Sequence, residues 1–348
     1  MNEMRMARRT FASAIVAGAA TVAAPVLRAQ SRPEKNRIGI AVGGKASFYY
    51  LPLTIAEQLG YFKAEGLEVE ISDFAGGARA LQAVVGGSAD VVSGAYEHTI
   101  NLQNKGQLFQ AFVLQGRAPQ IALGVSTKTL PSYKSVADLR GKKIGVTAPG
   151  SSTNMMANLV LARAGLKASD VSFIGVGTSA GALAAVRAGQ IDAICNIDPV
   201  MTMLEQKGDV RIVFDTRTLK GTREVFGGPM PAACLYAPLE FVQKHPATAQ
   251  ALTNAIVHAL KWLQTAGPSD IIKTVPEAYL LGDRGLYLAS FEKVREAIAL
   301  DGVFPEDGPR TALRALASFD ATLKADRIDL AKTYTNEFAL RAKARFKA

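Results

Sequence analysis

The sequence predicts an α/β protein made of two similar units that face each other across a cleft. Short β-branched runs alternate with helical periods from residue 37 to about 215, the pattern of a mostly parallel sheet with crossover helices. A 19-residue segment recurs at an offset of 102, as duplicated architectures do. After Pro238 helical patterns alone continue. The 348 residues suit about two domains of ordinary size.

The elements follow in order. Strands are expected at 37–42 (RIGIAV), 68–74 (EVEISDF), 90–93 (DVVS), 109–115 (FQAFVLQ) and 120–126 (QIALGVS), with helices near 51–59, 78–85 and 97–104 between them. The second unit repeats the scheme, with strands at 142–147 (KKIGVT), 171–175 (VSFIG), 192–195 (DAIC), 210–214 (VRIVF) and 230–236 (MPAACLY), and helices near 151–164, 180–188 and 200–207. Helices are then expected at about 239–245, 247–265, 269–280, 285–299, 308–323 and 330–345. Pro246 and Pro268 stand at or near helix starts, where a missing N–H costs nothing.

Residues 76–94 (GGARALQAVVGGSADVVSG) fall on 178–196 (TSAGALAAVRAGQIDAICN) with seven of 19 positions identical, among them Gly87/Gly189 and Asp90/Asp192. Upstream, Ile38-Gly39-Ile40 aligns with Ile144-Gly145-Val146, and Gly44 with Gly150. In open α/β sheets ligands bind beyond the carboxyl ends of the strands, where the next helix offers unpaired N–H groups. The first unit supplies Gly43 to Tyr50, Gly76-Gly77 and Ser93-Gly94 at such ends; the second supplies Pro149 to Thr153, Thr178-Ser179 and Asn196 to Pro199. If the units face each other, all six segments converge on one cleft.

The amino terminus is read separately. A basic start (Arg5, Arg8, Arg9), an apolar run from Phe11 to Leu27 and Leu27-Arg28-Ala29 before Gln30 read as an export signal over residues 1–29. The run is shorter than the ~20 residues of a membrane span. Arg8-Arg9-Thr10-Phe11 resembles the twin-arginine signal, with ordinary secretion as the alternative. Neither cysteine lies near the cleavage point, which argues against a lipoprotein anchor and for a mature chain free in the periplasm.

The formal charge of +10 invites a nucleic-acid partner. Residues 1–29 hold four of the 40 basic residues and one of the 30 acidic ones, so the mature charge is +7, and that surplus is dispersed. Nucleic acid is therefore not expected as a partner. Two cysteines and three histidines exclude a disulfide framework and a structural zinc site. No metal, cofactor or catalytic residue is expected: Ser/His/Asp order, H-E-x-x-H spacing and a Walker-type phosphate loop are all missing.

Several ordered motifs carry a resemblance: Tyr50-Leu51-Pro52-Leu53, Ala56-Glu57-Gln58-Leu59-Gly60-Tyr61-Phe62-Lys63-Ala64-Glu65-Gly66-Leu67-Glu68-Val69, Gly76-Gly77, Gly87-Ser88-Ala89-Asp90-Val91, Asp138-Leu139-Arg140-Gly141-Lys142-Lys143-Ile144-Gly145 and Gly189-Gln190-Ile191-Asp192-Ala193. The chain resembles the periplasmic substrate-binding proteins of ABC importers, in the branch of sulfonate, taurine and nitrate receptors and the thiamine-precursor (THI5/NMT1-like) binding proteins. The likeness covers most of residues 37–260. It implies a two-lobed, venus-flytrap periplasmic binding protein fold of type II, with lobe 1 at 34–120 plus 227–348 and lobe 2 at 121–226. It further implies a monomer that closes around one small ligand and delivers it to an ABC permease in the inner membrane. A fungal pyrimidine synthase on the same fold carries a cysteine-rich motif that this chain lacks.

Thirteen residues are candidates for ligand contact. Ser47, Phe48, Tyr49 and Tyr50 stand in a loop before Pro52, where an aromatic cluster is either core or binding surface. Gly76 and Gly77 permit tight backbone geometry and leave a helix start uncovered, where the family places its ligand. Ser93 and Gly94 end the third strand. Ser151, Ser152 and Thr153 exceed what capping needs, and Asn196 and Asp198 stand at the cleft edge with turn formation as the alternative. Lone His98, beside Glu97, reads as structural, His258 as packing, and Cys195 as a buried thiol whose pairing with Cys234 has no support. Helix starts and hydroxyls favour a small organic anion such as a sulfonate or carboxylate. The aromatic loop with Asp198 or Glu97 would instead suit a planar amine-bearing heterocycle, and neither Arg79 nor Arg117 occupies an obvious clamp position.

Overall fold

The computed structural model describes residues 32–348; the segment read as an export signal lies outside the described residues. The first half runs β1 (Arg37–Gly43), α1 (Leu51–Gln58), α2 (Tyr61–Ala64), β2 (Glu68–Phe74), α3 (Gly77–Val85), β3 (Val91–Ala95), α4 (Glu97–Asn104) and β4 (Phe109–Leu114). The second runs β5 (Ile121–Ser126), β6 (Lys143–Val146), α5 (Ser152–Arg163), β7 (Ser172–Gly175), α6 (Ala180–Arg187), β8 (Ala193–Ile197), α7 (Val200–Gln206), β9 (Val210–Asp215) and α8 (Leu219–Phe226). Then come β10 (Ala233–Pro238), α9 (Leu239–Lys244), α10 (Pro246–Thr265), α11 (Pro268–Thr274), α12 (Arg284–Val294), α13 (Gly308–Ala317) and α14 (Glu337–Phe346).

The strands form two five-stranded sheets, ordered β2-β1-β3-β10-β4 and β7-β6-β8-β5-β9. In each, three parallel strands are followed by one that is antiparallel to both its neighbours, β10 in the first sheet and β5 in the second. The sheets therefore share one topology. Helices cover both faces, so central strands read as continuous apolar runs: Ile40, Ala41, Val42, Val91 and Val92 are fully buried.

The repeat has a structural basis in its two aspartates. Asp90 exchanges backbone and side-chain bonds with Gly39 (Asp90 N–H to Gly39 O, 2.9 Å; Gly39 N–H to Asp90 Oδ2, 3.0 Å). Asp192 does the same with Lys143 (2.8 and 2.9 Å). Each fastens the start of the third parallel strand to the first. The ladders equate Ile40, opposite Val91, with Ile144, opposite Ala193. This corrects the alignment of Ile38 with Ile144 by two residues, a slip that keeps every side chain on its own face and so leaves the hydrophobic pattern unchanged.

The chain passes between the sheets twice, and the two crossovers run side by side. Thr216 N–H and Oγ1 both donate to Ile121 O (2.8 and 2.7 Å), while Gln115 and Gly116 donate to Ala233 O (2.7 and 3.0 Å). Gln120, within the first crossover, is buried with φ at +56°.

The carboxyl-terminal helices pack onto the first sheet around α10, which buries twelve residues against α1, α2 and α14. Pro246 opens α10, and Glu34 accepts the N–H groups of Ala247 and Thr248 (3.0 and 2.9 Å), pairing donors a helix start leaves free. His258 is packing, as read: it stacks between Tyr61 (3.8 Å) and Phe346 (4.8 Å). Two expectations shift. The helix read over 330–345 is a single 3-10 turn at Leu330–Lys332 followed by α14, because Thr335 N–H donates to Ala111 O and Ala111 N–H to Thr333 O, pulling the intervening chain alongside β4. The pattern also did not reveal α8, whose interior Gly221 lowers helix propensity.

Candidate ligand-binding site

The strand-end segments of the two sheets meet, and small residues set how closely. A Cβ on Gly43 would stand 2.2 Å from the backbone of Gly76 and Gly77, and one on Gly76 would stand 2.9 Å from Ala148 of the other sheet. Gly44, at φ +97°, lies against Thr178. At this meeting Ala78 N–H donates to Ser151 Oγ (3.0 Å) and Phe48 N–H to Asp198 O (3.2 Å) across the halves.

Where these segments meet, several polar side chains are buried with unpartnered atoms. Tyr49 Oη, Glu97 Oε1, His98 Nε2 and Gln115 Oε1 make no well-formed hydrogen bond, although all four residues are at most 3% exposed; Ser152 and the Gly150 backbone of the other half stand near enough to act on Tyr49 and His98. Such atoms cost free energy unless something pairs with them. Tyr49 faces Ser152 of the other half, and Tyr50 and His98 both pack against Gly77. His98 Nδ1 contacts Tyr236 Oη at 2.9 Å, and Gln115 Nε2 donates to Ser93 Oγ at 2.9 Å.

Burial governs the titration of the group. It pushes Glu97 up to about 7, opposed only by its own backbone N–H. It pushes His98 down to about 4, with the Gly150 backbone from the other half opposing it and Lys105 adding to it. Burial first, then the Glu97 charge, raises Tyr49 and Tyr50, and both raise the Cys234 thiol. At neutral pH these hydroxyls, the thiol and the imidazole are uncharged.

All thirteen candidates except Ser152 are buried, and most already have work in the fold. Phe48 packs on Tyr287 (4.5 Å) and Phe291 (5.9 Å), and Ser47 Oγ donates to Gly44 O (2.7 Å). Gly94 lies under Val92 and Tyr236. Thr153 Oγ1 accepts from Thr147 N–H (3.0 Å), and Asn196 Nδ2 donates to Gly177 O (2.9 Å). Asp198 Oδ1 accepts from Thr202 N–H (2.7 Å), the turn-forming alternative, while Oδ2 faces Arg217 at 3.6 Å; burial raises this carboxyl and Arg217 opposes it. Tyr49, Tyr50, Gly76, Gly77 and Ser152 stand where the halves meet. Sequence reasoning kept Glu97 only for the alternative ligand, read His98 as structural, and missed Gln115 and Tyr236. Glu97 and His98 follow Gly94 as Pro199 and Val200 follow Asn196, so the repeat itself held the signal.

The cations near the halves are committed. Arg217 is held by Asp215 (2.6 Å), Glu205 (3.1 Å) and Asp198, and Glu205 also takes Lys293 of α12 (2.8 Å). Arg117 Nε donates to Glu296 O (2.8 Å), beside a groove of about 490 Å³ bounded by Leu263, Arg295 and Leu300 that is separate from the meeting point. Arg79 is exposed. Cys195 and Cys234 are free and buried, in different sheets, with burial raising both thiols. Among the described residues no cluster could hold a metal ion, and no helix is long and apolar enough to cross a membrane.

Two sheets of one topology, joined by paired crossovers and meeting over buried polar groups, define a two-lobed periplasmic-binding-protein fold. The chain belongs to the NMT1-like family, whose model matches residues 32–275. It is similar to a solved structure from Bordetella bronchiseptica RB50, 63% identical with a TM-score of 0.90, covering 91% of this chain and 99% of that one. It also resembles the alkanesulfonate-binding protein SsuA from Xanthomonas axonopodis pv. citri, solved bound to MOPS, at 19% identity and TM-score 0.66 over 87% of this chain and 99% of that one. YtlA of Bacillus subtilis (strain 168), which carries a binding-protein name, is 22% identical over 72% of this chain and 73% of its own.

Proposed function

We propose that this chain is the solute-binding component of an ABC importer, exported to the periplasm by residues 1–29, and that it captures one small organic molecule between its lobes. Lobe 1 comprises 34–120 plus 227–348 and lobe 2 comprises 121–226. Closure about the paired crossovers shuts the ligand in and presents the closed form, a monomer, to a membrane permease. Thermodynamically, a ligand touching both lobes favours the closed state by its differential contacts there.

The observation that carries this reading is the buried set of Tyr49, Glu97, His98 and Gln115, short of well-formed hydrogen bonds where the two sheets' strand ends meet. An enzyme on this fold would need an activated group. Both thiols are raised by burial, which leaves neither as a thiolate nucleophile at neutral pH.

A thermal-shift screen of the mature chain against sulfonates, nitrate, aromatic carboxylates, amines and pyrimidines tests it. A true ligand stabilises the native state by roughly 2.7 kcal/mol at one hundred times its Kd, and small-angle scattering should show compaction on binding. Turnover of a stabilising compound would refute the reading.

A further inference from the structure

Resting on the reading of the interlobe site as a ligand site, we infer that Glu97 selects the solute: it accepts a hydrogen bond from an N–H group, so the ligand belongs to the amide, amidine or amine class rather than the sulfonates and carboxylates.

Glu97 is the first residue of α4, 2% exposed, and its Oε1 has no partner. A buried carboxylate usually sits against an arginine, a lysine or several N–H donors. Here no cation contributes to its titration, and its own backbone N–H is the one group favouring its charge. The groups it acts on are Tyr49, Tyr50, Tyr236 and Cys234, all neutral at physiological pH. Unlike a tyrosine hydroxyl or an amide, an ionised carboxylate can only accept. Burial holds the empty carboxyl near 7, so at neutral pH it is in part protonated, and an N–H donor supplied by a ligand between the lobes would draw it to the ionised form.

The groups that would cradle an anion are occupied. Ser151 Oγ accepts Ala78 N–H, Thr153 Oγ1 accepts Thr147 N–H, and Arg79 N–H donates to Gly76 O, so the hydroxyl row and the start of α3 are largely consumed within the protein. Arg217 is saturated by Asp215, Glu205 and Asp198. An anion entering here would meet Glu97 without a cation to offset it, whereas an N–H donor would pair it. Gln115 Oε1, buried and without a partner, would accept a second donor of the ligand.

The test is a matched panel on common carbon frames, with amides, amidines and amines set against carboxylates and sulfonates, read by thermal shift and titration calorimetry. The expected result is that the donor compounds bind wild type and the anions do not. Against the best donor, Glu97→Leu should weaken binding about a hundredfold and the isosteric Glu97→Gln about tenfold, as loss of a hydrogen bond to a charged group does. A carboxylate or sulfonate as the tightest binder, or donors that bind the Leu variant as well as wild type, would overturn this assignment and leave the binding-protein reading standing. Failure of both sets to bind would overturn the two together.

Discussion

Replacing Glu97 with glutamine should give the empty protein a stability that climbs with pH over a range in which these two neighbours leave wild type nearly flat. The Glu97 carboxyl goes from its ordinary 4.5 to about 7 on folding, and the adjacent imidazole of His98 from 6.5 to about 4. For Glu97 the folded state holds the proton more tightly, so its contribution is fully present below 4.5 and is lost as pH rises through 7. His98 is the reverse: its contribution is present above 6.5 and is lost as pH falls through 4. At about 1.4 kcal/mol per pH unit, each displacement is worth about 3 kcal/mol. Between pH 4.5 and 6.5 the two slopes oppose and cancel. Glu97→Gln removes one of them, so relative to wild type it should be near neutral at pH 4.5 and about 3 kcal/mol more stable above pH 7. His98→Asn should show the opposite slope, gaining about 3 kcal/mol at pH 4 while losing about 1 kcal/mol at neutral pH with the Tyr236 contact. The facing groups Tyr49, Tyr50, Tyr236 and Cys234 are raised and stay neutral throughout, so difference curves isolate the pair. Urea unfolding at half-unit steps from pH 4 to 8 measures them. If the Glu97→Gln and wild-type curves run parallel from pH 4.5 to 7, Glu97 is not held as described.

Two further substitutions probe the packing at the strand ends of lobe 1 and the bond from there to lobe 2. Gly43→Ala puts a methyl group 2.2 Å from the Gly76-Gly77 backbone, and should lower stability by about 1–3 kcal/mol, read as a fall in Tm, while weakening any ligand held there. Ser151→Ala leaves Ala78 N–H without its interlobe acceptor; calorimetry should show binding weaker by about fivefold, roughly 1 kcal/mol, with the unliganded Tm little changed if the bond belongs to closure.

The central strands were legible because strands covered on both faces are apolar along their length, as RIGIAV is, whereas the edge strands β2, β7 and β9 are half-exposed. What escaped was decided by contacts distant in sequence. Gly221 sits inside α8 because a Cβ there would stand 2.0 Å from Asp215 O, a constraint visible only once β9 and α8 are packed. The ligand-site candidates were chosen by strand-end position, which located the meeting of the lobes. Position could not say which polar groups the fold itself engages, as it does at Ser151, Thr153, Asn196 and Asp198, where capping and turn formation were the alternatives. Glu97 was named only in the alternative reading, with the aromatic loop, as suited to an amine-bearing heterocycle. Its importance comes from burial without a cation, which no spacing encodes.

The paired crossovers limit how the lobes can move. A single linker would allow rotation about three axes, but segments fastened to each other at Thr216/Ile121 and Gln115-Gly116/Ala233 act as a strap that bends in one direction and resists twist and slide. Opening is then close to a single degree of freedom. Little rotational entropy remains for the ligand to remove on closing, so more of its contact energy appears as affinity. On the proposed reading, entry and exit would share one mouth, and a partner prying it apart along the same axis would release the solute without unfolding either sheet.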